Sequence, residues 1–516
     1  MRRWACAAAL SLVACSAPKV LPPPAPVVAE NGDITPGELR RDLYAFADDS
    51  MRGRETGTPD ADRAARYLAQ RVERLGLEPA GDSLYLQRVP LQRESFARTS
   101  RIAVSESGET TSLRIGTDVI PVVNLGAGVP PAKNHAEGQV VFVGYGRRAP
   151  GSQRDDLANV DVEGKIVVVV NGAPAGTDSV TRAAMESETS ISERLALILP
   201  QRPSAVVIML TGAGRATFAD AAAQLAHTVT LRTNAVDVPD ADRPLPMILL
   251  GLAHAGSPLL PSNWPTDDQP QVLTGRSFSA RVELERTAIN AFNVVAIVRG
   301  TDPTLSRTFV AYGAHYDHIG VVAPVHGDSI ANGADDDGSG SVALLAIARS
   351  LQHAPPRRST LFVWHVGEEK GLLGSAWFVQ HPTVPIDSIV AQLNADMVGR
   401  NAPSLLYIVG PRAAPNNQSR RLGLVVDSVN AAQVVPFAID RDWDAATHPE
   451  HIYERSDHFN YARKGIPVAF FTTGMHDDYH APSDAPSRID YEKMARVARL
   501  MRDVGVAVGN SERRPR

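Results

Sequence analysis

The sequence predicts an α/β fold, with a mixed, mainly parallel central sheet flanked by helices and an inserted β-rich domain. Three observations predict it. From about residue 290 onward, apolar β-type runs alternate with helix-patterned runs. Each of those strands stops in polar residues. Residues 130–285 interrupt the pattern with short β-rich runs separated by proline-rich loops.

The first residues, MRRWACAAALSLVAC, place two arginines before a short apolar stretch, the pattern of a secretion signal rather than a membrane span. Leu12-Val13-Ala14-Cys15 resembles a bacterial lipobox, in which cleavage leaves Cys15 as a lipidated first residue; an ordinary signal cleaved near Ala17 is the alternative. Ser16, standing where an aspartate would retain the chain at the inner membrane, resembles the pattern sent to the outer membrane. The expected location is the bacterial cell envelope, lipid-anchored and facing the periplasm, or secreted, with Cys15 as the only membrane contact. Residues 18–34 are a proline-rich tether. Cys6 and Cys15 are the only cysteines, so the remainder must fold without disulfides or a catalytic thiol.

The chain has 516 residues, enough for two or three domains. Its net charge of −5 leaves no electrostatic footprint for nucleic acid. A helix begins at Thr58-Pro59, a cap followed by proline at the first helical position, and ends at Gly76. It belongs to a segment, 35–129, that forms the N-terminal part of the main domain. Gly81-Asp82-Ser83-Leu84 matches a four-letter esterase signature, but it lies at a helix-to-loop turn and no Asp-x-x-His block follows it. In 130–285, GQVVFVGYG, GKIVVVVNG and SAVVIMLTG are β-type runs ended by glycine, with no cluster of potential metal ligands. Residues 286–510 then read strand NVVAIVRG, strand TFVAYGA, helix SVALLAIARSL, strand STLFVWHVG and helix KGLLGSAWFVQ.

In sheets of this kind ligands bind beyond the carboxyl ends of the strands. There the sequence places His315-Tyr316-Asp317, Asp335-Asp336-Asp337, Glu368-Glu369, Asp396 and His480. One strand-end carboxylate is ordinarily a cap or a surface charge. Several brought together repel, by about 4 kcal/mol for a pair 4 Å apart at an effective dielectric near 20. A cation would relieve this. Imidazoles with carboxylates and no thiolate suit zinc, cobalt or manganese, and three carboxylates with a hydroxide balance two divalent ions.

HYD at 315–317, GADDDGSG, GEEKGLLGS, NADMVGR, SDHFNYARKGIPV and DYHAPSD, in this order, resemble the di-zinc aminopeptidase family that includes bacterial leucyl aminopeptidases; glutamate carboxypeptidase-like enzymes are related. The similarity covers about 290–510 and the N-terminal helix, and the middle region resembles the protease-associated domain often inserted in that family. The resemblance implies two Zn²⁺ ions, with Co²⁺ or Mn²⁺ as substitutes. Glu369 and His480 would hold one and His315 and Asp396 the other, with Asp336 bridging and a cis peptide at Asp336–Asp337. Asp317 would orient the other ring nitrogen of His315. Glu368 would be the general base for a water shared by the ions, and Tyr453 or Tyr479 would donate to the oxyanion. Asp335 and Asp337 would cap or support, and His318, His365, His451 and His476 would be hydrogen-bonded structural histidines. Ser456-Asp457-His458 holds the residue types of a hydrolytic triad, but adjacent positions cannot supply triad geometry.

The function so implied is a metallo-exopeptidase that removes the N-terminal residue of peptides. A carboxypeptidase or dipeptidase on the same scaffold is the alternative within enzymes, and a non-catalytic receptor-like binding protein the alternative outside them. Oligomeric state and residue preference are open at this stage.

Overall fold

The computed structural model describes residues 32–122, 132–147, 155–212, 214–225, 228–232, 245–410, 417–445, 448 and 450–515. The signal-like residues with Cys6 and Cys15, and the proline-rich tether up to residue 31, lie outside them. Among the described residues no helix is long and apolar enough to cross a membrane.

The main sheet has nine strands: β1 (Glu78–Pro79), β2 (Leu86–Arg88), β3 (Phe292–Val298), β4 (Phe309–His315), β5 (Ser359–His365), β6 (Ile389–Ala395), β7 (Leu405–Val409), β8 (Ala438–Asp440) and β9 (Val468–Thr472). Their order is β1-β3-β5-β4-β6-β9-β7-β8, with β2 also on β3. The central four, β5, β4, β6 and β9, are parallel. Antiparallel pairs β3/β5 and β7/β9 flank them. The sheet is therefore mixed and parallel at its centre, as its apolar, doubly buried strands require.

Strand alternation divides the core in two. Val294, Ala296 and Val298 of β3, with Phe362 and Trp364 of β5, enter one apolar cluster. Val295 and Ile297, with Leu361 and Val363, enter the other. The first face is covered by α1 (Pro36–Phe46), α2 (Pro59–Arg74), α3 (Gly340–His353) and α7 (Tyr491–Asn510). On the second face α4 (Leu373–Gln380) and α6 (His458–Arg463) supply Phe378 and Tyr461. Helix α5 (Arg420–Ala431) packs on α7. The Thr58 hydroxyl accepts from the Asp60 N–H at the start of α2, the expected cap.

The inserted region differs from expectation in two respects. Its eight-stranded sheet includes Arg101–Glu106, Glu109–Ser112 and Val119–Pro121, so the boundary drawn at residue 130 falls inside it. Glu109–Ser112 is an exposed edge, and an edge with no buried face has no apolar alternation to announce it. The sheet is also not purely β in its connections. Parallel strands at 135–142, 166–171, 205–210 and 247–252 are joined through helices Glu188–Ile198 and Gly214–Gln224, which makes that part α/β. A three-stranded sheet of Leu91–Phe96, Val229–Leu231 and Leu284–Ile289 joins the two units.

Helix α3 starts against the carboxyl ends of the parallel strands, and its first residue leaves no room. A Cβ on Gly340 would collide with the Asp337 carboxylate and the Ala395 carbonyl. Helix propensity alone would make Gly340→Ala favourable by about 1 kcal/mol. The collision reverses the sign, and a loss of about 1–3 kcal/mol is expected in urea unfolding.

Candidate metal centre

Four chain segments converge at the carboxyl ends of β4, β5, β6 and β9. His315 is the last residue of β4, Glu368 and Glu369 follow β5, Asp396 follows β6, and His480 lies in the loop after β9. Asp336 comes from the turn that opens α3, where the Asp336–Asp337 peptide is cis, as expected.

The two carboxylate oxygens of Asp336 face opposite ways. Oδ1 is 3.2 Å from His315 Nε2, and Oδ2 is 3.2 Å from His480 Nε2. On the His315 side, Asp396 Oδ1 is 3.6 Å and Glu368 Oε2 3.9 Å from the same Nε2. On the other side, Glu369 Oε2 is 3.1 Å from His480 Nε2. The donor atoms of His315, Glu368 and Asp396 form one group that could hold an ion, and those of His318, Asp336, Glu369 and His480 form a second. All six expected first contacts are therefore brought together.

His318 is the residue that sequence reasoning placed elsewhere. Its Nδ1 lies 2.7 Å from Glu369 Oε1 and 3.8 Å from Asp336 Oδ2, and its ring is fully buried. The available signal was an imidazole three residues beyond His315, past the end of the strand. Asp317 also departs from expectation. The Nδ1 of His315 meets the backbone carbonyl of Asp317 at 3.1 Å, while its carboxylate is 4.0 Å away. That carboxylate instead accepts from the Thr56 hydroxyl at 2.8 Å and the Glu368 N–H at 3.2 Å. The strand has ended, so the chain turns its carbonyl rather than its side chain toward the ring.

The neighbouring acids are held by backbone donors. Asp337 accepts from the N–H of His315, Gly340 and Met397, tying together β4, α3 and the residue after β6. Asp335 accepts from the Gly399 N–H and pairs with His476 at 3.3 Å. Asp484 accepts from the N–H of Asp335 and Asp336. Asp396 accepts from the Ser456 hydroxyl at 2.7 Å, which is the support that the Ser456-Asp457-His458 motif supplies. His365 and Asp457 pair at 3.2 Å in the core, and His451 is exposed.

Arg54 is a second residue without a sequence signal. It is fully buried, and its guanidinium donates to the carbonyls of Tyr316, Phe46, Asn332 and Gly333. One side chain from the N-terminal segment thus fixes the loops carrying Asp317 and Asp336. Burial lowers its pKa to about 10 despite the surrounding aspartates.

The electrostatics follow from crowding. Burial pushes Glu368 well above the ordinary carboxylate range, opposed by His315 and reinforced by the neighbouring acids Glu369 and Asp396. Burial would raise Asp336 too, but hydrogen bonds from His315 and His480 hold it well below that range. Burial alone would lower His480, yet its bonds to Asp336 and Glu369 raise it to about 10. These imidazoles stand where positive charge is demanded.

Beside the acids lies a small cleft. Met397, Trp443, Ile452, Phe470 and Met475 form its apolar wall, and Thr472, Tyr479 and Arg455 are its polar members away from the acids. Tyr479 stacks on the His480 ring at 3.8 Å. Tyr453 does not line this cleft. The short turn Ile452–Glu454 sends Ile452 into it and packs Tyr453 edge-on against His458 and Phe459.

Residues 293–505 match the family model described as peptidase family M28. A probable leucine aminopeptidase of Trichophyton verrucosum is 30% identical over 244 residues, which are 45% of this chain and 62% of that relative. Leucine aminopeptidase 1 of Trichophyton rubrum is 29% identical over 237 residues, 43% of this chain and 60% of that one. The chain thus spans about 60% of the length of these curated relatives. Among solved structures, an aminopeptidase from Aneurinibacillus sp. strain AM-1 superposes with a TM-score of 0.53 at 18% identity, covering 93% of this chain and 95% of that one. That likeness shows the α/β fold that the two chains share.

Arg54→Met would strand four buried carbonyls, and a loss above about 3 kcal/mol in urea unfolding is expected, with Arg54→Lys recovering only part. His458 gives a pH dependence. Burial depresses its pKa from 6.5 to about 3, so between those values the unfolded chain takes up a proton that the folded chain refuses. Stability therefore falls as pH drops through that window, by about 2 kcal/mol at about pH 5. His458→Phe, which keeps the stack on Phe470, should show a smaller drop between pH 7 and pH 5.

Proposed function

We propose that this chain is a metallo-exopeptidase, an aminopeptidase that binds two divalent ions, zinc in the first place and cobalt or manganese as substitutes. The observation that carries the reading is the placement of Asp336 between two groups of ligand atoms, with His315 and His480 on opposite oxygens of one carboxylate. The donor set fits. Imidazole and carboxylate oxygens without thiolates suit zinc and its neighbours. The Nε2 atom of His318 is buried without a hydrogen-bond partner, as an atom awaiting a cation would be.

In this reading Asp336, Glu369 and His480 would hold one ion, with His318 steadying Glu369, while Asp336, His315 and Asp396 would hold the other. Bound ions would polarise the scissile carbonyl and acidify water. The protein's own groups do the rest. Glu368, on the cleft side of its pair, takes the proton of the attacking water and delivers it to the leaving amine. Its backbone is pinned by Asp317, so the carboxylate stays aimed while Glu369 is committed to the His318 and His480 side. The Tyr479 hydroxyl, carried over the metal side by the stack on His480, would donate to the oxyanion. The apolar wall accepts the side chain of the residue removed. Peptides with a free amino terminus are the substrates in this proposal. Lipid anchoring through Cys15 would present the enzyme to the periplasm, and the inserted unit would be a protease-associated-like domain.

Glu368→Gln separates binding from turnover. After loading with zinc, metal content per chain should equal that of the wild type, while kcat on leucine anilide falls by about 10²–10⁴-fold. Undiminished turnover, or wild-type protein that holds no metal, would refute the assignment.

A further inference from the structure

We propose that Arg455 is a carboxylate-binding residue of the cleft, selecting peptides that carry a carboxylate close to the scissile bond. The inference rests on the peptidase reading and adds a substrate class to it.

Among the described residues lining the cleft, Arg455 is the one permanent cation, facing a site whose other charged groups are the acids and imidazole of the metal centre. Its position is fixed by its neighbour, since Ser456 donates to Asp396 at 2.7 Å and so holds the Arg455 backbone one residue from the metal centre. Apart from the Thr472 and Tyr479 hydroxyls, the described wall away from the acids is apolar, so Arg455 is its charged partner for a substrate carboxylate.

Among the described residues the charge paired with Arg455 is Glu450, at 3.1 Å, with the two side chains 40% and 61% exposed. Such an exposed pair is weak. A guanidinium presents a planar fork that binds carboxylate with two parallel hydrogen bonds, and a desolvated cleft strengthens them. A substrate carboxylate arriving from the cleft side can therefore displace or share Glu450. Two sources supply that chemistry: the C-terminal carboxylate of a di- or tripeptide, or an acidic side chain next to the bond.

The test uses zinc-loaded full-length protein and two matched pairs. Leu-Gly against Leu-Gly-amide reports the terminal carboxylate, and Leu-Asp-amide against Leu-Asn-amide reports the side chain. The wild type should favour the carboxylate member of one pair by about 10–100-fold in kcat/KM, mainly through KM. Arg455→Met should bring that ratio close to one, and Arg455→Lys should keep part of it. Glu450→Gln, which frees the guanidinium, should widen the ratio, so the proposal remains testable even if the Met variant folds poorly. A wild-type ratio near one in both pairs, with both amides turned over, would overturn the inference alone. So would a ratio that survives Arg455→Met. Metal-loaded wild type inert toward every substrate would instead overturn the peptidase reading beneath it.

Discussion

Carboxylates packed out of water at the carboxyl ends of four parallel strands set the terms for the rest of this molecule. Asp317, Asp335, Asp336, Asp337 and Asp484 are all nearly or fully buried, and Glu369 and Asp396 nearly so. Acids in such a place must be matched by donors or cations. The chain divides them into two sets. Asp317, Asp335, Asp337 and Asp484 are satisfied largely by backbone N–H groups, and in accepting those bonds they weld strand ends, the start of α3 and the neighbouring loops into one frame. Asp336, Glu369, Asp396 and Glu368 are turned toward imidazoles and toward one another. The first set builds a rigid holder and the second is what it holds.

Much of this was legible in the sequence. The alternation of apolar strands and helices after residue 290 requires parallel strands covered on both faces, and a parallel sheet brings its carboxyl ends to one side. Polar residues recurring where each apolar run stops are then neighbours in space, however far apart in the chain. That logic placed His315, Asp336, Glu368, Glu369, Asp396 and His480 together, and the structure does the same. The ordered motifs added what spacing cannot, namely the expectation that Glu369 is the ligand and Glu368 the base.

What was not legible failed for physical reasons. Strand alternation puts His318 on the opposite face from His315, but β4 ends at His315, and beyond a strand end the period of two no longer applies. The same turn replaces the Asp317 carboxylate with its carbonyl at the His315 ring. Tyr453 and Tyr479 both lie in irregular backbone, where sequence carries no directional rule, and only the second lines the cleft. Arg54 looked like one arginine among many in MRGRETG. Its left-handed backbone and its carbonyl partners are purely tertiary. The edge strand Glu109–Ser112 of the inserted unit, polar on both faces, gave no apolar signal either.

Arg54 also links this architecture to the order in which it can be made. The guanidinium closes on Tyr316, Asn332 and Gly333, 262–279 residues further along, and the last ligand, His480, comes later still. Between Arg54 and Tyr316 lie the strands of a whole second sheet. Contacts of such sequence separation are slow to form because the entropy of closure precedes any reward. The centre is therefore among the last things the nascent chain completes, and a polypeptide halted before His480 would carry His315, Asp336, Glu369 and Asp396 without the imidazole on the other oxygen of Asp336. Late closure leaves those acids short of a cationic partner until that residue has been made.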